Sequence, residues 1–219
     1  VIKIEKGDAG GLKMGKIEQN KKIKMESLLN TAFTLFTSKG FQNTSISDIV
    51  KNAGVAKGTF YLYFTDKYDI RNKLIAHKAT SLFYDAYASL CTRPDIVSFE
   101  EQLIYMTDYI IERLNTDKSL LNFIAKHLSW GIFRNSLISF HDSNDHNAYE
   151  LFNDLLRQSG LAFRAPEIMI YMIIELTSGT IYNPILYGQP VPLDQIKPHL
   201  YDAIRSQIRR HIIAQQEHP

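Results

Sequence analysis

Residues 44–67 read TSISDIVKNAGVAKGTFYLYFTDK, a stretch whose punctuation predicts two short helices joined by a tight turn. Thr44 or Ser45 is placed to cap the first helix, and Asp48 stands three residues after Ser45 to complete a capping pair. Ile46, Ile49 and Val50 then supply one apolar face at i, i+3, i+4. Gly54 follows the last periodic residue, where a left-handed backbone ends the helix and glycine adopts it without a Cβ clash. Val55 is the inward anchor of the turn, and the second helix starts at about Ala56. A helix, a glycine turn and a helix within about 20 residues make a helix-turn-helix, whose second helix suits the major groove of DNA.

The second helix carries chemistry fitted to that groove. Lys57, Tyr61, Tyr63 and Lys67 are long donors able to clamp phosphates. Gly58, Thr59 and Leu62 are small or apolar enough to touch base edges or thymine methyls. Gly58 also lets the backbone approach closely, and Thr65 or Asp66 caps the helix that follows. The same residues suit an ordinary helical corner with a solvated lysine, so the pattern alone leaves both readings open.

As a string, AGVAKGTFYLYFTDK preceded by TSISDIV resembles the DNA-binding domain of the tetracycline-repressor (TetR) family of bacterial regulators. Upstream, LLNTAFTLFTSKGF (Leu28 to Phe41) is similar to that family's first helix, closed by the pair Gly40-Phe41. The likeness covers about residues 22–70. It implies that Thr44, Lys57, Gly58, Thr59, Tyr61, Leu62, Tyr63 and Lys67 fall on DNA-contacting positions, with a carboxy-terminal helical domain for dimerisation and effector binding. One position departs from the pattern. Ala56 stands where the family very often has serine, and alanine neither caps the recognition helix nor holds a phosphate.

Charge distribution points the same way. The net charge is only +2, but residues 1–78 hold 14 Lys/Arg against 7 Asp/Glu while residues 79–219 hold 11 against 16. A basic amino-terminal third on an acidic body is the electrostatic footprint of a DNA-binding domain joined to one that is not. Lys16, Lys21, Lys22 and Lys24 supply much of the excess, and a soluble helix start would use the same lysines. A chain of 219 residues, 45% hydrophobic and with 11 glycines and 7 prolines, is globular. Its single cysteine, Cys91, excludes an internal disulfide, suits a reducing cytoplasm and is expected to be inert packing. The longest apolar run, Ile168–Ile174, is far short of the roughly 18 residues a membrane span needs.

Along the chain the periodicity predicts an all-α protein in three parts: residues 1–15 as a disordered tail or expression remnant, 16–66 as the helix-turn-helix domain and 67–219 as the helical body. The first helix spans about Lys16 to Ser38, with Leu28, Leu29, Ala32, Phe33, Leu35 and Phe36 as its apolar stripe. A long helix from Lys67 to about Leu90 links the halves, and Arg93-Pro94 breaks it. Ser98 caps the next helix, with Glu101 at the capping-box position. Asp117 to about Trp130 is another, and HDSNDHN (141–147) is a polar loop. A helix ending at Gly160 follows. Then comes an apolar helix from Pro166 to about Tyr182 with its end disturbed at Asn183-Pro184, and a last helix from Pro192 or Asp194 to about Gln215.

Two features of the body bear on function. The segment Glu167–Leu176 is apolar nearly all round, and Ile196, Leu200, Ile204, Ile208 and Ile212 recur at four-residue steps. Such helices, Ile173 included, suit a four-helix bundle with a second copy, and the family resemblance implies a homodimer of that kind. Two recognition helices would then meet half-sites of a palindromic operator about 34–36 Å apart. The middle helices are also rich in aromatics, as an ordinary core would be. With the resemblance, which implies a body that holds a ligand, Tyr105, Tyr109, Phe123, His127, Trp130 and Glu175 are the candidate lining of an effector pocket.

His141, Asp142, Asp145 and His146 match no metal-ligand spacing, and no catalytic motif or cofactor-binding signature is recognisable. The sequence therefore predicts a cytoplasmic, dimeric, ligand-responsive transcriptional regulator, most simply a repressor. The alternatives are a DNA-binding dimer answering to a protein partner and a helical small-molecule-binding protein or enzyme.

Overall fold

The structure, a computed structural model, describes residues 16–125 and 148–213. Among these the regular structure is helical, apart from one antiparallel bridge between Phe163 and Ile212. The helices are α1 (Lys16–Ser38), α2 (Ile46–Asn52), α3 (Lys57–Tyr61), α4 (Lys67–Cys91), α5 (Phe99–Thr116), α6 (Lys118–Ala125), α7 (Ala148–Gln158), α8 (Pro166–Tyr187) and α9 (Leu193–His211). The chain divides into two compact units that part between Ile70 and Arg71. The expected tail at 1–15, the end of the Asp117 helix and the loop 141–147 lie outside the described residues.

In the amino-terminal unit, α1 lays its stripe over the helix-turn-helix pair. Leu28, Leu29, Ala32 and Phe36 are buried with Ile49 and Val50 of α2, Phe60 of α3 and Phe64 and Ile70 beyond it. Apolar burial of this kind, at about 25 cal/mol per Å², is what holds α2 and α3, which are too short to be stable alone, against α1.

The carboxy-terminal unit is built on the pairing of α8 with α9, with α5 and α6 against them. Met169, Ile173, Ile181 and Ile185 line the inner side of α8, and Leu200, Ile204 and Ile208 that of α9. Helix α8 does not stop at Asn183. It runs through Pro184 to Tyr187 and ends at Gly188, whose φ of 65° is left-handed. Proline deletes one intrahelical N–H bond, yet Pro184 and Ile185 are both buried, and that packing carries the helix one turn further. Helix α9 ends at His211 rather than near Gln215. Its continuation is extended, with Arg164 N donating to His211 O (2.7 Å) and Ile213 N to Ala162 O (2.8 Å).

A polar ridge fastens α9 to α5. Lys197, Tyr201, Arg205 and Arg209 recur every four residues and face Glu112, Asp108, Glu101 and Glu100 in antiparallel order. Arg209 grips Glu100 with two bonds of 2.9 and 2.8 Å. Burial and donation to Asp108 push the Tyr201 phenol well above its ordinary range. Burial pulls the Lys197 ammonium down, but hydrogen bonds to Asp108 and Glu112 outweigh it and the net shift is upward.

Candidate nucleic-acid interface

The start of α2 is set by a reciprocal capping box. Ser45 Oγ accepts from Asp48 N (3.1 Å), and Asp48 Oδ2 accepts from Ser45 N (2.9 Å) and from the Ser45 hydroxyl (2.7 Å). These bonds, side chain first, hold the Asp48 carboxyl below its ordinary value. The far end closes as a Schellman turn: Val55 N donates to Val50 O (3.0 Å), Gly54 N to Lys51 O (3.3 Å), and Gly54 takes φ +67°. Of the two capping residues the sequence allowed, Ser45 is the cap.

Helix α3 begins after Ala56, which makes no side-chain cap bond. Phe60 is its anchor: fully buried, with its ring 5.4 Å from that of Phe64. With Phe60 inward, the opposite side faces out. Lys57, Gly58, Tyr61 and Leu62 are exposed, Leu62 at 79%, while Thr59 and Tyr63 are half-buried. An exposed leucine beside tyrosine, threonine, glycine and lysine is an amphipathic surface with donors at its edge and apolar atoms in its middle. That composition suits phosphate contacts around base contacts.

Two expected contact residues are placed differently. Thr44 is 1% exposed, and its hydroxyl lies 2.9 Å from Gly40 O and 3.3 Å from Leu35 O. It satisfies carbonyls at the end of α1, so its side chain is inside rather than on the presenting surface. Lys67 is half-buried, donating from Nζ to Phe41 O (2.9 Å) and Gln42 O (3.4 Å). Asp66 caps α4, its Oδ1 accepting from Tyr68 N (2.7 Å) and Asp69 N (2.8 Å).

The residues expected at a dimer face are mostly covered by their own chain. Ile173, Leu200, Ile204 and Ile208 are buried within the single chain, at 4% exposure or less. Ile196 is half-buried, and Ile212 lies past the end of α9 in the bridge to Phe163. The four-residue rhythm of α9 is thus occupied by its own chain. What stays uncovered is the outer side of α8: Ile168, Tyr171, Met172 and Tyr187 at 55, 38, 39 and 66% exposure, with Glu175 and Gly179 exposed along the same line. The signal for it was in the sequence, since only a helix with apolar residues all round keeps an apolar side after its inner one is buried.

Four of the six candidate pocket residues fall among the described residues. Phe123 is core, Tyr105 and Tyr109 are half-buried on α5, and Tyr105 Oη is 2.8 Å from Ser89 Oγ. Glu175 is on the exposed side of α8, and His127 and Trp130 lie outside the described residues. Cys91, expected as packing, is exposed at the end of α4. Among the described residues no His/Cys/Asp/Glu group is arranged to hold a metal, and no helix is long and apolar enough to cross a membrane.

Comparisons with known proteins bear on the same region. A family profile described as bacterial regulatory proteins, tetR family, matches residues 28–74. The chain is 54% identical over 44 residues to an uncharacterized HTH-type transcriptional regulator of Bacillus subtilis (strain 168), a match over 20% of this chain and 23% of that protein. With the fatty acid metabolism regulator protein of the same organism it shares 29% identity over 146 residues, 67% of this chain and 59% of that one. The chain therefore spans less than two thirds of the length of either curated relative. Its fold is similar to that of the transcriptional regulator FadR from Bacillus subtilis in complex with stearoyl-CoA, with a TM-score of 0.56 and 20% identity over 84% of this chain and 98% of that one.

Proposed function

We propose, from the premise that the chain belongs to the tetR family of bacterial regulatory proteins and is a DNA-binding transcriptional regulator, that it works as a homodimeric repressor released by a small effector. The observation that carries the DNA-binding part is α3 itself: a helix anchored by buried Phe60 whose other side exposes Lys57, Gly58, Tyr61 and Leu62. One such helix reads a single half-site, so a second copy, bringing a second half-site, makes a palindromic operator the fitting target. The exposed apolar side of α8 is the surface we assign to that second copy, through Ile168, Tyr171 and Met172. A chain of this kind acts in the cytoplasm, where the DNA is, and we assign it no catalysis.

For the effector, a long-chain acyl-CoA is the first choice. The relative named as a fatty acid metabolism regulator matches over a length that reaches well past the helix-turn-helix, and a protein of similar fold is held in complex with stearoyl-CoA. Further support comes from the hydroxyls of Thr80 on α4 and Thr177 on α8, which are buried without a hydrogen-bond partner among the described residues. Such groups cost about 1–3 kcal/mol each unless something satisfies them. An effector that binds the released state better by about 1–3 kcal/mol gives a usable switch.

The test is a titration of stearoyl-CoA into the complex of protein and operator, the operator first being selected from random-sequence DNA. Release over a saturable range supports the reading. Enriched operator DNA with no response to acyl-CoA of any chain length would remove the proposed effector and leave the protein-partner alternative. No enriched sequence at all would remove the operator.

A further inference from the structure

We propose that Lys67 is a positioning residue, which seats the exit of the recognition helix on the end of α1 instead of clamping a phosphate; this rests on the operator-binding function proposed above. The last turn of any α-helix presents carbonyls with no intrahelical partner, together with the negative end of the helix dipole. At the end of α1 and in the turn that follows it, over residues 39–42, carbonyls are met by side chains, two of them local and one arriving from the start of α4. Thr44 Oγ1 lies beside Leu35 O and Gly40 O, Asn43 Nδ2 donates to Lys39 O (3.1 Å), and Lys67 Nζ donates to Phe41 O and Gln42 O.

Lys67 is the first residue of α4, a place where a cation is disfavoured by its own helix. Its surroundings explain why it is there. Besides the two carbonyls, its ammonium sits 4.4 Å from the centre of the Phe41 ring. That ring is held between Phe36 and Tyr68, each 5.1 Å away. The first two residues of α4 thus grip one aromatic residue from two directions.

The path back to α3 has no slack. Tyr63 N and Phe64 N both donate to Phe60 O, Thr65 N donates to Asp69 Oδ2, and Asp66 caps α4. Fixing Lys67 on the α1 corner therefore fixes where α3 ends. An ammonium that already has two carbonyls and a ring face as partners carries this role without touching DNA.

Salt dependence separates positioning from phosphate contact. Each phosphate neutralised contributes about 0.9 to the slope of log K against log salt. The selected operator duplex is titrated with the wild type, Lys67→Met and Lys67→Arg across a potassium chloride series, with Lys57→Met as the phosphate-contact comparison. The expected result is a loss of about tenfold or more for Lys67→Met with the slope unchanged, and recovery of most of the affinity in Lys67→Arg. A slope reduced by about 0.9 for each copy would overturn the proposal. So would a melting point that falls while operator affinity holds, which is a structural role alone.

Phe41→Leu removes the seat without altering charge. It should also weaken binding at constant slope, and unchanged affinity there overturns the proposal even if Lys67→Met fails to fold. A wild type that binds no DNA sequence selectively overturns the operator-binding function itself, whereas a wild type that binds while these variants miss their expected pattern overturns only the role of Lys67.

Discussion

Gly58 offers a substitution whose two effects should have opposite signs. It is the second residue of α3, it is exposed, and its backbone is not left-handed, so nothing in its conformation demands glycine. A Cβ built there meets no atom within 4 Å. Alanine should therefore help the fold. Glycine in a helix interior is less favourable than alanine by about 0.8–1.0 kcal/mol, and at the edge of a five-residue helix about half of that, ~0.5 kcal/mol, is a fair share. For a unit of this size the gain corresponds to a rise of about 2–4 °C in its melting temperature.

If α3 lies against base edges, the same methyl group sits where DNA must approach. Displacing one close contact there should cost about 1–3 kcal/mol, a loss of roughly five- to 150-fold in operator affinity. Calorimetric melting and a fluorescence titration with the selected duplex measure the two effects on one sample. A Gly58→Ala protein that melts higher and binds just as well would refute the assignment, because the open side of α3 would then not be the side that meets DNA. One that melts lower would refute the described conformation of α3.

Further expectations concern the cap, the dimer and the body. Ser45→Ala should destabilise the amino-terminal unit by about 1 kcal/mol, read by urea unfolding. Because the folded Asp48 pKa lies below 3.8, its contribution is complete above pH 3.8 and fades as pH falls through the lowered value; Asp48→Asn should flatten that acid limb. Met172→Arg, on the exposed side of α8, should turn the proposed dimer into a monomer by sedimentation and lower operator affinity at least tenfold; a dimer that persists would place the contact elsewhere. Lys197→Met should lower body stability by about 1 kcal/mol, a modest figure because Asp108 and Glu112 are 43% and 49% exposed and water screens the pair. As the folded Lys197 pKa lies above 10.5, the wild-type advantage is full below pH 10.5 and is lost as pH rises through the raised value.

What is legible in the chain alone divides along a physical line. Local rules place Ser45 and Asp48 at the start of α2, Gly54 at its end and the end of α1, because capping and left-handed turns depend on a few consecutive residues. Side-chain destinations set by distant neighbours are not readable in that way. The pattern puts Thr44 and Lys67 on the contact surface, yet both turn to carbonyls of the turn that follows α1, which no local rule announces. The isoleucines of α9 show the same limit. Their period says that one face is covered, and burial against α8 and α5 of the same chain covers it as well as a second copy would. The apolar neighbours of Glu175 suggest a pocket, although a helix apolar all round leaves one of its sides outside.

Selection of bound duplexes from random-sequence DNA is the most direct trial of α3 as a reading helix, since it presupposes neither an operator nor an effector. The expected result is enrichment of a pseudo-palindrome whose two halves lie about one helical turn, or a multiple of it, apart, with two chains on each duplex and enrichment lost when Lys57 and Thr59 are both replaced by alanine. Enrichment that survives those replacements, or binding that follows charge with no sequence preference, would contradict it.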